Sequence, residues 1–279
     1  MPGRLSIVAT PIGNLEDMTL RALKTLRSAD KIAAEDTRHT RKLLTHFNIK
    51  KPLIAFHEYS SPECAQRIVD EIAAGAHIAF VSDAGTPGIS DPGQVLVAQA
   101  RRQNVPVEGI PGACAAVCAY SISGIAHKRF YFFGFLEDKA QARAAQLQSF
   151  LTLEVPVILY VAPHKLQRTL QDIQTELGAS TRVTLLRELT KIHEEYLCGT
   201  PQELLCHFEQ QEIRGEFVLI LEIQQQEHIV EEEEICRALR QCLQSGMRAK
   251  EAAKTVSERL KIPKNQAYAL AIREREDEK

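Results

Sequence analysis

The sequence lacks long apolar runs and has no excess of charge of either sign. No stretch approaches the roughly 20 consecutive apolar residues that a membrane-spanning helix needs, and residues 1–9 do not form the apolar segment of a secretory signal peptide. We therefore expect a cytoplasmic protein that stays out of the membrane. Lys and Arg number 34, and Asp and Glu number 36, which gives a net charge of −2. This balance argues against a general polycation that coats nucleic acid.

The common signatures of disulfide, metal and nucleotide sites are also missing. The 7 cysteines include no Cys-x-x-Cys pair, so we expect reduced thiols that act as small core residues. The 9 histidines show no His-x-x-x-His spacing, so we expect no metal site. The absence of a Gly-x-x-x-x-Gly-Lys-Ser/Thr motif, and of Gly-x-Gly-x-x-Gly after the first strand, leaves standard nucleotide-binding loops unsupported.

The sequence does contain a regular alternation of short apolar runs with segments of helical spacing. Over about the first two hundred residues this alternation favours an α/β fold with a parallel or mostly parallel sheet. A connection at 124–129 separates two such series, which predicts α/β domains at residues 1–124 and 125–226 with a cleft between them. After an acidic linker, residues 232–279 predict three short helices, typical of a helix-turn-helix module.

The segment at residues 81–93 is dense in Gly, Pro and Asp and follows a buried-type strand. Ligands of open α/β sheets bind beyond the carboxyl ends of the strands, and glycine lets backbone groups approach a ligand closely. Asp83 could accept a hydrogen bond from a ribose hydroxyl or an amino group. The competing interpretation is a loop that only reverses the chain.

Three other polar segments lie next to predicted strands. The segment Glu35–Lys42 could be catalytic or hold substrate, or it could be a helix start capped by Asp36 or Thr37. The segments 187–195 and 214–216 could contribute to a site or form surface salt bridges. At the turn before the helix from residue 113, a helix N-terminus could hold a carboxylate, and Cys114 is better explained as a packing residue than as a nucleophile.

Positive charge is concentrated in two stretches despite the neutral total. Residues 21–51 carry nine Lys or Arg against three acids, and residues 245–273 carry seven against two. These stretches are candidate phosphate-facing surfaces, although ordinary charged helix faces would show the same composition. If both bind RNA, binding should depend on two placed surfaces and on a structured target.

Several motifs together resemble the tetrapyrrole-methylase superfamily. They are Val8–Arg21 with its Thr-Pro-Ile-Gly-Asn, Ala34–Thr40 with Glu-Asp-Thr-Arg, Ser82–Gly93 with Ser-Asp-Ala-Gly-Thr-Pro, and Arg187–Lys191. The chain is most similar to the bacterial branch that methylates a cytidine 2′-hydroxyl in small-subunit (16S) ribosomal RNA, and the similarity extends over the C-terminal helices. The resemblance implies two α/β domains, S-adenosylmethionine in the cleft between them, and a homodimer.

The resemblance also implies positions for the site. The cofactor would contact Pro11, Ile12, Asp83, Thr86, Ile89, Cys114, Ala115, Val161, Ala162, Thr190, Gly215 and Glu216. Because a ribose hydroxyl is a weak nucleophile, a hydrogen-bond acceptor would help, and Glu35, Asp36 and Glu188 are candidates, with Lys191 beside them as a further catalytic candidate. RNA phosphates would be held by charge-assisted bonds from Arg38, Arg41, Lys42, Lys250, Lys254, Lys261 and Lys264.

Other functions stay open from the sequence. A relative that methylates a porphyrinoid carbon is disfavoured because residues 9–14 read Ala-Thr-Pro-Ile-Gly-Asn rather than the Gly-x-Gly-Pro-Gly type of those enzymes. A relative that modifies a translation factor is disfavoured for the same reason. A non-catalytic protein that binds S-adenosylmethionine or RNA is a different class, and the polar residues next to strands in both halves count against it.

Overall fold

The structure is a computed structural model that describes residues 3–57, 59–91, 93–209, 211–223, 232–260 and 263–277, with side chains up to residue 274. The chain forms two compact units, Met1–Gln224 and Gln225–Lys279. Within the described ranges, no helix is long and apolar enough to cross a membrane.

The first sheet of the larger unit is parallel throughout. Its strands are Arg4–Val8 (β1), Lys31–Ala34 (β2), Leu53–Ala55 (β3), His77–Val81 (β4) and Val107–Ile110 (β5), in the order β3-β2-β4-β1-β5. Every neighbouring pair runs in the same direction. The parallel sheet predicted from the alternation of strands and helices is confirmed here, and all carboxyl ends of its strands meet at one edge.

Helices cover both faces of this sheet because its strands are apolar on both sides. Leu20–Ser28 (α1) and Thr37–His46 (α2) pack over a core that includes Val8, Ile32 and Ala79. Pro62–Ala73 (α3) and Gly93–Arg102 (α4) pack over Leu5, Ile78 and Phe80 on the other face. Near-continuous apolar strands of this kind are what a doubly covered parallel sheet requires.

The second sheet is mostly antiparallel, which corrects the expectation of a parallel or mostly parallel sheet for this half. Its strands are Tyr131–Gly134 (β6), Val157–Val161 (β7), Arg182–Arg187 (β8), Glu195–Gly199 (β9) and Phe217–Glu222 (β10), in the order β6-β7-β10-β8-β9. Only β6 and β7 run parallel. Strands β8 and β9 are joined by a short connection without a helix, which permits only an antiparallel pair. The half-exposed Glu195–Gly199 has no strong apolar signal and was not expected as a strand.

The helix Ala115–Ile122 (α5) joins the two halves into one unit. It follows β5 in the chain, yet Ala116 and Ala119 pack against Ile158, Val218 and Ile220 of the second sheet. The opposite face of that sheet is covered by the helices Ala140–Phe150 (α6), Leu166–Leu177 (α7) and Pro201–Phe208 (α8). All strands of the first sheet precede residue 124 in the sequence, and all strands of the second sheet follow it. Because α5 packs on the second sheet, the two halves nevertheless form a single packed body.

The smaller unit contains the helices Glu232–Gln244 (α9), Ala249–Leu260 (α10) and Lys264–Asp277 (α11). Small apolar residues fill its core, among them Leu239, Ala252 and Val256. A hydrogen bond from Arg240 lowers the pKa of the buried Glu274 carboxyl. The three helices expected from the sequence are present.

The cysteines divide between core and surface. Cys236 and Cys242 are buried in the helical unit as expected, whereas Cys198 and Cys206 are exposed. The expectation that the thiols are small core residues therefore fails for these two, because they lie on the outward side of a β-strand and of a short helix.

Candidate active site

A cleft of about 490 Å³ lies within the larger unit, among loops that adjoin strands of both sheets. Its lining comes from the segments after β1, β2, β4 and β5 in the first sheet, and from β6, β7, β8 and β10 or the segments next to them in the second. This is the size range of small-molecule sites. The lining residues are Ile12, Glu35, Ser82, Asp83, Ala84, Gly85, Thr86, Ile89, Ser90, Asp91, Cys114, Ala115, Phe135, Tyr160, Val161, Ala162, Pro163, Leu189, Glu216, Phe217 and Val218.

The Gly-rich segment after β4 forms one wall of the cleft and is tied to its neighbours. Thr10 and Gly85 exchange two backbone hydrogen bonds of 2.9 and 3.1 Å, and the Thr86 hydroxyl donates to the Ala113 carbonyl at 2.9 Å. Gly85 has φ +77°, and a Cβ there would lie 3.2 Å from the Ile12 side chain. Such cross-linking exceeds what a simple chain reversal requires and favours a built binding wall.

A first carboxylate cluster, defined as Glu35, Asp36 and Asp83, connects the ends of β2 and β4. The Asp36 backbone N–H donates to Asp83 Oδ1 at 3.0 Å, and the Asp83 N–H donates to Glu35 Oε2 at 3.4 Å. Both Glu35 and Asp83 line the cleft. The two loops therefore hold each other through carboxylate–backbone bonds.

Asp36 serves as the N-cap of α2. Its Oδ1 accepts from the Arg38 N–H at 2.7 Å, and its carboxylate also binds the Arg38 guanidinium. These hydrogen bonds from Arg38 lower the pKa of Asp36 to about 2. The capping interpretation of this segment thus describes Asp36, which is not among the lining residues.

A second cluster, the lysine cluster, consists of Glu188, Lys191 and Glu216. Lys191 Nζ lies 2.8 Å from Glu188 Oε1 and 2.9 Å from Glu216 Oε2. Partial burial alone would raise the pKa of Glu188, but the Lys191 hydrogen bond and the Glu216 N–H outweigh it and lower that pKa. Burial alone would lower the pKa of Lys191, but the hydrogen bonds to the Glu188 and Glu216 carboxylates outweigh it and raise that pKa. Lys191 is therefore a cation held between two carboxylates.

The loop that carries the lysine cluster has strained backbone and close packing. Glu188 and Thr190 have φ of +53° and +66°, which costs free energy for residues other than glycine. A Cβ on Gly13 would lie 2.5 Å from Lys191 Cγ and 2.8 Å from Thr190 Oγ1. Thr190 Oγ1 is buried and has no hydrogen-bond partner within the described part of the chain. A buried hydroxyl without a partner needs a structural explanation, and the strained backbone of this loop is one.

Tyr160 braces the opposite side of the cleft. Its hydroxyl accepts from the Ala116 backbone N–H at 3.0 Å, in the first turn of α5. Burial raises the pKa of Tyr160, with Cys114 nearby adding to the effect. This contact fixes α5 against β7, and thereby positions Cys114 and Ala115.

The structure brings most of the predicted cofactor residues together. Ile12, Asp83, Thr86, Ile89, Cys114, Ala115, Val161, Ala162 and Glu216 line the cleft, whereas Pro11, Thr190 and Gly215 lie beside lining residues. Of the predicted catalytic residues, Glu35 lines the cleft, while Asp36, Glu188 and Lys191 form its supporting contacts. Motif spacing missed Phe135 and Tyr160. Two local signals could have found them. Phe135 directly follows the aromatic strand β6, and Tyr160 directly precedes Val161, a predicted cofactor residue.

The predicted substrate cations are exposed. Arg38 is held by Asp36, and Arg41 and Lys42 project from the next turn of α2. In the helical unit, Lys250, Lys254 and Lys264 are exposed on α10 and α11, whereas Lys261 lies outside the described residues.

The sequence matches two family models. The model of Tetrapyrrole (Corrin/Porphyrin) Methylases matches residues 4–205, and that of the RsmI C-terminal HTH domain matches residues 230–275. The chain belongs to the tetrapyrrole methylase family. It is therefore a methyltransferase, and the predicted family and fold class are confirmed.

Named relatives extend this membership over nearly the full length. A Synechocystis protein named ribosomal RNA small subunit methyltransferase I is 45% identical over 97% of this chain and 98% of its own. A protein of the same name from Halalkalibacterium halodurans is 42% identical over 96% and 94%. The crystal structure of uroporphyrin-III-C-methyltransferase from Thermus thermophilus has a TM-score of 0.57 at 19% identity, covering 79% of this chain and 95% of that chain. That likeness concerns the tetrapyrrole methylase fold alone.

Proposed function

We propose that this tetrapyrrole methylase transfers a methyl group from S-adenosylmethionine to a cytidine 2′-hydroxyl in small-subunit (16S) ribosomal RNA. The observation that carries the proposal is near full-length similarity to relatives named for methylation of that RNA, including the C-terminal helices. Porphyrinoid methylation is not favoured, because likeness to such enzymes is confined to the fold.

The cleft fits S-adenosylmethionine in chemistry and in size. Its apolar lining, with Ile12, Ile89 and Val161, suits an adenine ring, while Asp83 and Glu216 supply acceptors for hydroxyl, amino or cationic groups. These residues would hold the donor, which supplies an electrophilic methyl group when bound.

The residues of the chain would act chiefly by position. Methyl transfer needs the nucleophilic oxygen aligned in a site that excludes water, and walls from both sheets provide one. Glu35 is the predicted acceptor that lines the cleft, so we assign it the bond to the ribose hydroxyl. Asp36 and Glu188 would act indirectly, by fixing Asp83 and Lys191.

One labelling experiment tests the function. Methyl-labelled S-adenosylmethionine is incubated separately with unmethylated small ribosomal subunits, naked RNA and a porphyrinoid. We expect label in a ribonuclease-resistant dinucleotide that contains 2′-O-methylcytidine. Label in the porphyrinoid alone, or retention of the cofactor without transfer, would contradict the proposal.

Single-turnover rates test the carboxylate roles. Glu35→Gln is expected to slow methyl transfer more than Asp36→Asn or Glu188→Gln, because only Glu35 of the three reaches the cleft. If all three variants kept the full rate, side-chain base catalysis would be wrong.

We also propose that the chain is a homodimer and acts in the cytoplasm. Helix α5 is apolar on its outer side as well, with Val117 55% and Ile122 48% exposed and Phe130 nearby at 37%. Several exposed apolar side chains on one helix and the segment beside it favour an interface over single scattered exposures. Val117→Asp with Ile122→Asp should shift the mass in light scattering from dimer to monomer, and an unchanged mass would contradict this interface.

The proposed location in the cytoplasm is supported by the cysteines, because free thiols fit a reducing compartment.

A further inference from the structure

Helix α2 leads from the catalytic cleft to a second concave surface. Asp36, the N-cap of this helix, holds Asp83 at the cleft, while Thr45 near its other end lines a groove of about 510 Å³. Eight residues separate Thr37 from Thr45, which corresponds to about 12 Å along a helix axis. The groove, here called the α2 groove, is bordered by Arg41, Thr45, Lys50, Lys51, Pro52 and Leu53.

The electrostatics of the α2 groove are one-sided. Residues 37–57 contain five Lys or Arg and no Asp or Glu. Among the described residues, no carboxylate lies within ion-pair distance of Arg41, Lys50 or Lys51. Arg38, closer to the cleft, is by contrast neutralised by Asp36. Cations left without acidic partners around a concavity attract anions, phosphate above all.

The groove also offers surface that a simple anion would not use. Its lining also includes Pro52, which is exposed, Leu53, which is half-buried, and the buried Ile49. The Thr45 hydroxyl in the lining donates to the Arg41 carbonyl. A lining that combines cations with apolar side chains suits a nucleotide, whose phosphate is charged and whose sugar and base are not.

We propose that the α2 groove binds a nucleotide a few positions from the methylated residue in the same strand, so that the RNA strand follows α2 from the cleft to Lys50 and Lys51. This proposal rests on the proposed function and adds a second subsite to it. A stacked strand advances about 3.4 Å per nucleotide, so a 12 Å path corresponds to about three or four nucleotides. The groove thus fixes the position of the strand relative to Glu35.

A double variant tests the subsite against a matched control. Lys50→Ala with Lys51→Ala removes two cations from the groove, whereas Arg102→Ala with Lys139→Ala removes two exposed cations from α4 and from the start of α6. Affinity for unmethylated small ribosomal subunits is measured over a range of salt concentrations. Methylation by the unaltered chain is followed in parallel.

The groove variant is expected to bind the subunits about 10-fold more weakly. Each lost contact to a single strand should also reduce the slope of log affinity against log salt by about 0.7. The control should keep both the affinity and the slope, and both variants should keep affinity for S-adenosylmethionine.

Other results would overturn the subsite. They are an unchanged affinity and slope in the groove variant, losses equal to those of the control, or a lowered Tm with unchanged RNA binding. The last result would show that Lys50 and Lys51 only complement the negative end of the α2 dipole. If the unaltered chain binds subunits through the groove but does not methylate them, the proposed function fails and the subsite stands.

A photoreactive amino acid in place of Thr45 tests where the RNA strand lies relative to the α2 groove. We expect crosslinks to nucleotides within about four positions of the methylated cytidine, as the length of α2 requires. Crosslinks confined to distant RNA segments would contradict the proposed path.

Discussion

The two sides of the cleft hold their polar residues in different ways. In the first carboxylate cluster, Asp83 and Glu35 accept from backbone N–H groups of the neighbouring loop. In the lysine cluster, Glu188 and Glu216 share one ammonium group on a strained loop. The first arrangement depends on hydrogen-bond geometry, whereas the second depends on charge.

This difference predicts different responses to substitution. A backbone N–H donates equally well to a carboxylate or an amide oxygen, so isosteric amides at Asp36 and Asp83 should be tolerated in the first cluster. Glu35→Gln should keep the backbone contact in the same way and lose only the charge that faces the ribose hydroxyl. Two carboxylates around a missing cation repel each other, so the lysine cluster should respond to neutralisation. A substitution in one cluster should therefore leave the contacts of the other cluster intact.

The largest effect is expected from Asp83→Ala. The part-buried Asp36 N–H loses its acceptor, which costs less than the roughly 1–3 kcal/mol of a fully buried donor, and the cleft loses a lining carboxylate. We expect cofactor affinity and kcat/KM to fall by about 100-fold or more. Calorimetric titration with S-adenosylhomocysteine and steady-state rates would measure the two losses.

Asp83→Asn is the matched control for the first cluster. Because the amide oxygen can still accept from the Asp36 N–H, most of the structural loss should be restored. If the Asn variant is as impaired as the Ala variant, the charge of Asp83 matters more than its geometry, and the contrast between the clusters weakens.

Lys191→Met should have the second largest effect. It removes the ammonium that Glu188 and Glu216 share, and we expect kcat/KM to fall by about 10-fold. Adding Glu188→Gln to that variant removes one of the repelling charges and should recover part of the rate. A double-mutant cycle on kcat/KM measures this coupling, and strictly additive losses would contradict the cluster.

Much of this site was predictable from sequence, and the reason differs between the two sides. The Gly-rich loop and Glu35 follow strands of a parallel sheet, where carboxyl ends meet at one edge and neighbours in space follow from the strand order. In the second sheet, β10 lies between β7 and β8 and runs antiparallel to both, so Glu216 reaches the cleft from the start of a strand. No local pattern indicates that reversal. The polar segment 214–216 was compatible with a site or with surface salt bridges, and only the resemblance to the family assigned Gly215 and Glu216 to the cofactor.

Other features could not be predicted because they depend on tertiary contacts. Tyr160 matters through one hydrogen bond to α5, a helix that is 44 residues away in the chain. The role of Lys191 depends on Glu216, 25 residues further on. The sequence of residues 187–195 allowed both a site and a surface salt bridge, and the structure places the ion pair at the edge of the cleft.

A smaller effect is expected in the pH dependence of stability. The pKa of Glu188 is lowered in the folded chain, so its stabilising contribution is complete above the ordinary value of 4.5 and is lost as the pH falls through the lowered value. The pKa of Lys191 is raised, so its contribution is complete below 10.5 and is lost as the pH rises through the raised value. The Tm difference between the unaltered chain and Lys191→Met should therefore shrink as the pH falls from about 6 to about 3. A difference that stays constant over this range would show that the ion pair contributes nothing.

The smallest effect is expected from Asp36→Asn. Its Oδ1 caps α2 through the Arg38 N–H, and an amide oxygen caps a helix nearly as well as a carboxylate. The bond to the Arg38 guanidinium is weakened, but that side chain is 88% exposed and surface pairs of this kind contribute little. We expect Tm to fall by less than about 4 °C and kcat/KM to stay within about twofold. Asp36→Ala removes the cap itself, so its Tm, measured by calorimetry, should be lower than that of Asp36→Asn. A loss of rate by Asp36→Asn as large as that of Asp83→Ala would mean that Asp36 acts in the chemistry and not as a cap.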